Sequence, residues 1–398
     1  MNIIFFTPVP IPIGMASTQR ILQIADILSS NHHVKIFITQ VQPLGIGTSS
    51  GHKGYWKNIY FEYLTGTNRR SLNFFLRRIV QIWGSINSIL RIISLKINNK
   101  IDAIYLYGEQ RNFVFTDFFI VLTGNVLRVP VIRELCERTW SEKENKNLFE
   151  RLISPLWGIS GAICISDYLI NWAKQNGLKL KKQIDLLQIP ILIHKSEVKD
   201  SKISEQDSGY VLFAGAPEYQ KTILFLLNAM EYVWEQYPDE RLVITGFDLN
   251  TKRAAWLSEF LSISGIKYKK VEVCGFLERD VFTQYIDNAN ALLLPLFNDV
   301  DSEARFPNKL GEYLISGKPV VTCDVGEVGK ILRNGDNALV ISKAIPYEFA
   351  KKIIESKSKN NAKLIGENGR KTALRLFSSD VHAEKINIFF EVVGSGRK

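Results

Sequence analysis

Residues 291–322, ALLLPLFNDVDSEARFPNKLGEYLISGKPVVT, decide how this chain must fold. Residues 291–296 are an apolar run short enough for a strand buried on both faces, and residues 319–321 open another strand after a helix stop at Gly317. Between them lie a polar loop and a stretch of helical spacing that starts near Pro307, a residue suited to the first turn of a helix. Strand, loop, helix and strand in that order place the charged residues at the carboxyl edge of a parallel sheet. Open α/β sheets bind ligands at that edge, and a helix start offers free N–H groups to an anion. Lys309 and Glu312, three apart, share one helix face, with Arg305 in the loop above. Cations beside a carboxylate suit a phosphorylated sugar nucleotide.

The same alternation continues outward along the chain. With 398 residues the sequence exceeds the usual size of one core, so two domains are expected. In the first half, strands are predicted over 2–6, 33–39, 101–107, 128–135 and 161–165, with helices over 17–28, around 113–122 and from Ser166 to Asn176. A second series opens at Tyr210 with YVLFAG and continues through RLVITG, VEVCGFL, ALLLPL, PVVTC and ALVIS. Residues 195–208 are polar and charged and read as a linker. The predicted domains are therefore 1–194 and 209–375. Residues 368–393 are helical in character, and a closing helix is assigned to 376–398.

The run FPNKLGEYLISGKPVV, residues 306–321, resembles the donor-nucleotide motif of the retaining glycosyltransferases of family 4. That resemblance implies an α/β fold of the GT-B type, two Rossmann-like doubly wound domains facing a central cleft, with the closing helix packed back on the first domain. It also implies that Glu312 holds the ribose hydroxyls of a nucleotide. A second glutamate normally lies eight residues earlier, where this chain has Ala304, and Glu303 is one residue out of register. Either a loop shift lets Glu303 substitute, or this is a subgroup in which an RFPxK arrangement, Arg305, Pro307, Asn308 and Lys309, does the work instead.

Other segments carry the resemblance further. AGAPEYQKT, residues 214–222, is similar to the family loop that meets the donor diphosphate. Gly215 matches its glycine and Lys221 its lysine, whereas Ala216 stands where an arginine is expected; Arg305 is the candidate replacement, because a departing diphosphate accumulates charge that prepositioned cations stabilise. Gly275, Phe276 and Leu277 resemble the segment whose backbone meets the base. Gly14 to Arg20, GMASTQR, resembles the glycine loop facing the diphosphate, with Gly14 allowing close backbone approach and Arg20 meeting a phosphate or acid group. In VIRELCERTW, residues 131–140, Cys136 occupies the place of a histidine near the reacting sugar, flanked by Glu134 and Glu137. Glu134, Glu137 and Ser166 are candidates for the sugar or acceptor side, with an ion pair to Arg133 or Arg138 as the alternative for Glu137. Ser166 matches a family serine at a strand end, and a helix N-cap explains it equally well.

Composition limits the partners. The formal charge of +10 attracts anions, and its distribution is uneven. Residues 68–100, NRRSLNFFLRRIVQIWGSINSILRIISLKINNK, contain no acidic residue and interleave Arg and Lys with aromatic and aliphatic side chains. This is a basic amphipathic helix, with a break expected near Gly84. It reads either as an interfacial segment for an anionic membrane or as a pair of core helices with solvated basic faces. No nucleic-acid motif accompanies the charge. The amino terminus reads as a strand, with no signal peptide and no apolar run of membrane-spanning length, so a cytoplasmic protein is expected, peripheral on the inner membrane face if the basic segment binds lipid. Four cysteines without CxxC spacing predict reduced thiols, and the five histidines show no ligand spacing. Asp299-Val300-Asp301 is a short DxD read as a polar loop. No metal and no cofactor is assigned.

These readings combine into an expectation: transfer of a sugar from a nucleotide-diphosphate donor to a hydroxyl acceptor with retention of configuration, in cell-surface polysaccharide or glycolipid assembly. The acceptor would be lipid-linked on the membrane reading. Two alternatives stand beside it. One is a nucleotide-sugar epimerase of the same architecture. The other is a non-catalytic membrane-associated scaffold, motivated by Ala216, Ala304 and Cys136.

Overall fold

A computed structural model describes residues 1–14, 16–41, 51–108, 114–137, 154–179, 184–193, 209–264 and 270–395. Residues 195–208, read as a linker, lie outside these. The chain forms two compact units, Met1–Leu192 with Ser379–Lys398, and Ile193–Ser378.

The first unit is built on eight strands: β1 (Asn2–Thr7), β2 (His33–Ile38), β3 (Lys53–Trp56), β4 (Ile59–Tyr63), β5 (Ala103–Leu106), β6 (Val131–Leu135), β7 (Gly161–Cys164) and β8 (Asp185–Gln188). Their order is β3-β4-β2-β1-β5-β6-β7-β8, parallel throughout except for the antiparallel β3 and β4 pair. Central strands such as β1 and β5 are apolar and buried along nearly their whole length, as a sheet covered on both faces requires. Strands β3, β4 and β8 have no counterpart in the predicted series. β3 and β8 are half-exposed edge strands, so they lack the continuous apolar run that marks the others.

Three helices of this unit matter below: α1 (Ala16–Ser29), α2 (Phe74–Ile97) and α3 (Val114–Val126). Helix α2 runs unbroken through Gly84, contrary to the expected break. The glycine serves close approach instead: a Cβ there would stand 2.7 Å from the Thr39 carbonyl oxygen and 2.9 Å from Thr65 Cγ2. The carboxyl-terminal stretch is two helices, Lys359–Phe377 in the second unit and Ser379–Gly394 in the first. From the latter, Ile386, Phe389, Phe390 and Val393 enter the apolar core around β1 and α1.

The second unit holds β9 (Tyr210–Ala214), β10 (Arg241–Thr245), β11 (Val271–Cys274), β12 (Leu292–Leu294), β13 (Val320–Cys323) and β14 (Leu339–Ile341). They form an all-parallel sheet in the order β11-β10-β9-β12-β13-β14. From β9 the chain works outward through β10 to β11, then returns to the other side of β9 for β12. The reversal between β9 and β12 is a topological switch point, where loops at the carboxyl ends diverge and leave room for a ligand. No helix among the described residues is long and apolar enough to cross a membrane.

Candidate functional site

Three glycines close the carboxyl ends of adjacent strands in the second unit. Gly215 follows β9, Gly246 follows β10 and Gly275 follows β11. The Gly215 N–H donates to the Thr245 carbonyl at 3.0 Å, and the Gly246 N–H donates to the Gly275 carbonyl at 3.2 Å. Gly246 has φ +110°, and a Cβ on it would lie 2.4 Å from the Gly215 oxygen. The rim is therefore bare backbone, and at Gly246 a side chain cannot be added without moving it, whereas a Cβ on Gly275 would meet nothing within 4 Å. Phe276, next on this rim, is exposed and Leu277 is half-buried.

Beside it stands the helix Asn308–Ile315, with Pro307 as its N-cap residue. Lys309 Nζ lies 2.9 Å from Glu312 Oε2, and Arg279 Nη1 lies 2.6 Å from Glu312 Oε1. Arg279 opens the helix Arg279–Asn288, whose Phe282 ring underlies Lys309 Nζ at 4.2 Å. Burial pushes the Glu312 carboxyl up, but Lys309 and Arg279 together outweigh burial and hold it below its ordinary value. Glu312 is thus an ionised, oriented acceptor with lone pairs to spare. Its helix is fixed to the sheet through Tyr313, whose buried hydroxyl accepts the Ala214 N–H at the end of β9, 2.9 Å away.

A second group of charges spans the switch point. Lys221, in the first turn of the helix Gln220–Gln236 after β9, places Nζ 3.1 Å from Asp299 Oδ2 in the loop after β12 and 3.9 Å from the Phe297 ring centroid. Asp299 also caps the short helix Val300–Ala304 by accepting the Ser302 N–H at 2.9 Å. Burial raises its pKa, but that bond and Lys221 bring the net shift below the ordinary value. Arg305 ends the short helix. Its Nε donates to the Asp301 carbonyl at 3.0 Å and its guanidinium lies over Tyr219, immediately before the Lys221 helix. Ala304 is 0% exposed and packed in the interior, while its neighbour Glu303 is exposed. In this helix the in-register glutamate of the family motif would be buried, whereas Glu303 faces solvent. Asp299 thus caps this helix and Asp301 lies in its first turn, rather than in the polar loop read for the pair. Among the described residues no three His, Cys, Asp or Glu side chains group as a metal-ligand set.

The first unit treats its candidates differently. Gly14 packs beside Thr18, whose hydroxyl donates to the Pro10 carbonyl at 2.8 Å. Arg20, expected at a phosphate, is 1% exposed. Its Nη2 sits 2.7 Å from Glu134 Oε1, and the same guanidinium donates to the Ile189 carbonyl at 2.9 Å and to that of Pro190. Glu134, equally buried, also accepts from the Tyr105 hydroxyl and lies 3.2 Å from Cys136 Sγ. Arg20 and Glu134 therefore neutralise each other inside the unit, which corrects the ligand roles read for them: a buried charge is held by its partners and is not on offer to a solute. Arg133 pairs with Asp117 at 3.3 Å rather than with Glu137, which is exposed; Arg138 lies outside the described residues. Ser166 is fully buried and accepts the Leu169 N–H at 3.3 Å, in the manner of a helix cap.

Four residues of the second-unit site escaped sequence reasoning: Arg279, Gly246, Tyr219 and Tyr313. Gly246 had a signal, a glycine directly after the strand RLVIT. Arg279 had none, since nothing local ties it to Glu312, 33 residues away.

Residues 208–357 match the family described as Glycosyl transferases group 1. Among curated proteins, a putative glycosyltransferase of Bacillus subtilis, YtcC, is 26% identical over 201 residues, covering 48% of this chain and 47% of that protein. The chain spans about half the length of the curated relatives it matches. Among solved structures, sucrose-phosphate synthase from Thermosynechococcus elongatus is similar with a TM-score of 0.69 at 13% identity, over 99% of this chain and 100% of that one. Anabaena Alr3699/HepE in complex with UDP gives 0.64 at 15% identity, over 98% and 100%. These likenesses establish the fold as GT-B, with a Rossmann-like α/β unit in each half.

Proposed function

We propose that this chain is a retaining glycosyltransferase whose second unit binds a nucleoside-diphosphate sugar. The observation that carries the reading is Glu312, held ionised by Lys309 and Arg279 beside the glycine rim of a parallel sheet. A carboxylate fixed by two cations is suited to accept hydrogen bonds from the paired hydroxyls of a ribose. The bare backbone at Gly215, Gly246 and Gly275 would take the base and the nearest phosphate. Lys221 and Arg305, on elements that flank the switch point, are the cations for the diphosphate. The Lys221 pair with Asp299 is open to solvent, with side-chain exposures of 66% and 40%. Such a pair is worth about 0–1 kcal/mol, so a phosphate can displace the aspartate at little cost. Pro307 and Asn308 start the Glu312 helix and shape its approach to the ligand.

In the reaction, the bond between the anomeric carbon and the phosphate oxygen breaks, and its electron pair leaves with the diphosphate. Lys221 and Arg305 stabilise the charge that develops there. The acceptor oxygen bonds to the anomeric carbon on the same face, and its proton passes to the departing phosphate oxygen. No protein nucleophile is required. The acceptor is a hydroxyl compound, and assembly of a cell-surface glycan or glycolipid is the setting we favour. The Anabaena neighbour solved with UDP supports the donor class.

A panel of nucleoside diphosphates and their sugars, screened by thermal shift, tests the donor reading, because a ligand that binds only the folded chain raises its melting temperature. One nucleoside diphosphate should stand out. Its release from the sugar nucleotide only when acceptor is present, with the product anomer assigned by NMR, tests transfer and retention. Conversion of the donor sugar without acceptor would instead indicate an epimerase, and no turnover with any donor a scaffold.

A further inference from the structure

We propose that α2 and α3 together form a docking face for an anionic lipid surface. Helix α2 packs on its unit through Gly84, Ser88, Ile92 and Leu95, so two of its four buried residues are nearly devoid of side chain. At about 100° per residue, Ile79, Trp83, Ile86, Leu90, Ile93 and Ile97 fall in one stripe on the opposite side. All are exposed, with Trp83 at 50% and Ile97 at 75%. An amphipathic surface helix ordinarily turns its large apolar side chains inward; this one is seated on its small residues and shows the large ones to solvent.

The second helix extends the face. α3 packs beside α2, and Ser85 Oγ lies 2.6 Å from Thr116 Oγ1 across their contact. Phe115, Phe119, Leu122 and Val126 follow at helical spacing along α3, and each is exposed. A contiguous apolar surface on two neighbouring helices is a partner site in wait of its partner.

Charge identifies the occupant. Arg69, Arg70, Arg78 and Lys100 are exposed or nearly so around the α2 stripe, and residues 68–100 contain no carboxylate. The Arg77 and Arg78 guanidinia lie 5.4 and 5.2 Å from the Phe74 ring centroid, which puts cations and aromatic surface together at the start of the helix. Arg91 instead turns to Glu62, 2.8 Å away. A lipid interface meets both halves of this pattern, acyl boundary for the apolar stripe and anionic headgroups for the cations. A second copy docked face to face would set the same cations against each other with no acid from the segment between them.

Sedimentation of the full chain with vesicles tests this. Vesicles of phosphatidylcholine with phosphatidylglycerol should carry the protein down, whereas phosphatidylcholine alone should carry little. Arg77→Gln with Arg78→Gln should weaken partitioning roughly thirty-fold, from about 1 kcal/mol per basic residue. Trp83→Ser with Ile86→Ser should abolish it, and both variants, altered only at the surface, should keep the wild-type melting temperature. Failure to bind the anionic vesicles, or binding undiminished in either variant, overturns the proposal. So does concentration-dependent self-association, lost in Trp83→Ser with Ile86→Ser, in a protein that ignores lipid. The face belongs to the first unit and the donor site to the second, so a negative lipid result leaves the donor reading standing.

Discussion

Lys221 and Asp299 meet at 3.1 Å across the switch point of the second sheet, joining the first turn of the helix after β9 to the loop after β12. Lys221→Ala should leave stability within about 0.5 kcal/mol of wild type, since the pair is exposed. It should weaken binding of the nucleoside diphosphate by roughly ten- to one-hundred-fold, the loss of a charged hydrogen bond. Isothermal titration calorimetry alongside urea denaturation separates the two effects. Equal affinity in the variant would remove Lys221 from the donor site.

Glu312→Gln keeps the shape of the side chain and removes its charge. Lys309 and Arg279 then face a neutral amide, and nucleotide binding should fall by at least tenfold. The same residue gives the second unit a pH signature. Because the folded pKa lies below the ordinary value of 4.5, its stabilising contribution is present above about that pH and is lost as pH falls through the lower folded value. Acid denaturation of Glu312→Gln should lack this component.

Asp117 acts with the opposite sign. Burial raises its pKa from 3.8 to about 6 against the pull of Arg133. A folded-state value above the unfolded one means that its contribution is full below about pH 3.8 and is lost as pH rises through about 6. Urea melts across this window should show a smaller pH dependence in Asp117→Asn than in wild type.

Ala304→Glu would restore the in-register glutamate of the family motif. Because Ala304 is fully buried, the expected result is a loss of stability of about 3 kcal/mol or more rather than improved binding. Glu303→Ala, at the exposed neighbour, should leave stability unchanged, and its effect on nucleotide affinity decides whether Glu303 substitutes for the missing group.

Gly246→Ala tests the glycine rim. A left-handed φ combined with a Cβ 2.4 Å from a carbonyl oxygen should destabilise the second unit by about 1–3 kcal/mol and weaken nucleotide binding in parallel. A variant with wild-type melting and affinity would show that the rim tolerates a side chain.

Much of the second unit was legible because its signals are local. Apolar runs bounded by glycine or proline mark buried parallel strands, and YVLFAG, RLVITG and VEVCG each end where a strand meets the rim. Lys309 and Glu312 share a helix face by spacing alone, and the structure brings their charges to 2.9 Å. The first unit was harder. Its edge strands are short and half-polar, and the glycine in α2 reads locally as a breaker although it is a packing contact.

The sequence by itself determined the two α/β series, the order of the second-unit strands along the chain and which side chains share a helix face, because these follow from periodicity within a few residues. Tertiary structure alone decided which of those faces is buried and which charges meet. It gave Glu312 its second cation from 33 residues away and Lys221 its aspartate from 78. It took Arg20 into the interior with Glu134, and it turned the apolar stripe of α2 outward. An arginine in a sequence carries the same charge whether it will meet a phosphate or a buried carboxylate, and an amphipathic helix has the same spacing whichever side faces the core. Only contacts between residues remote in the chain distinguish these outcomes.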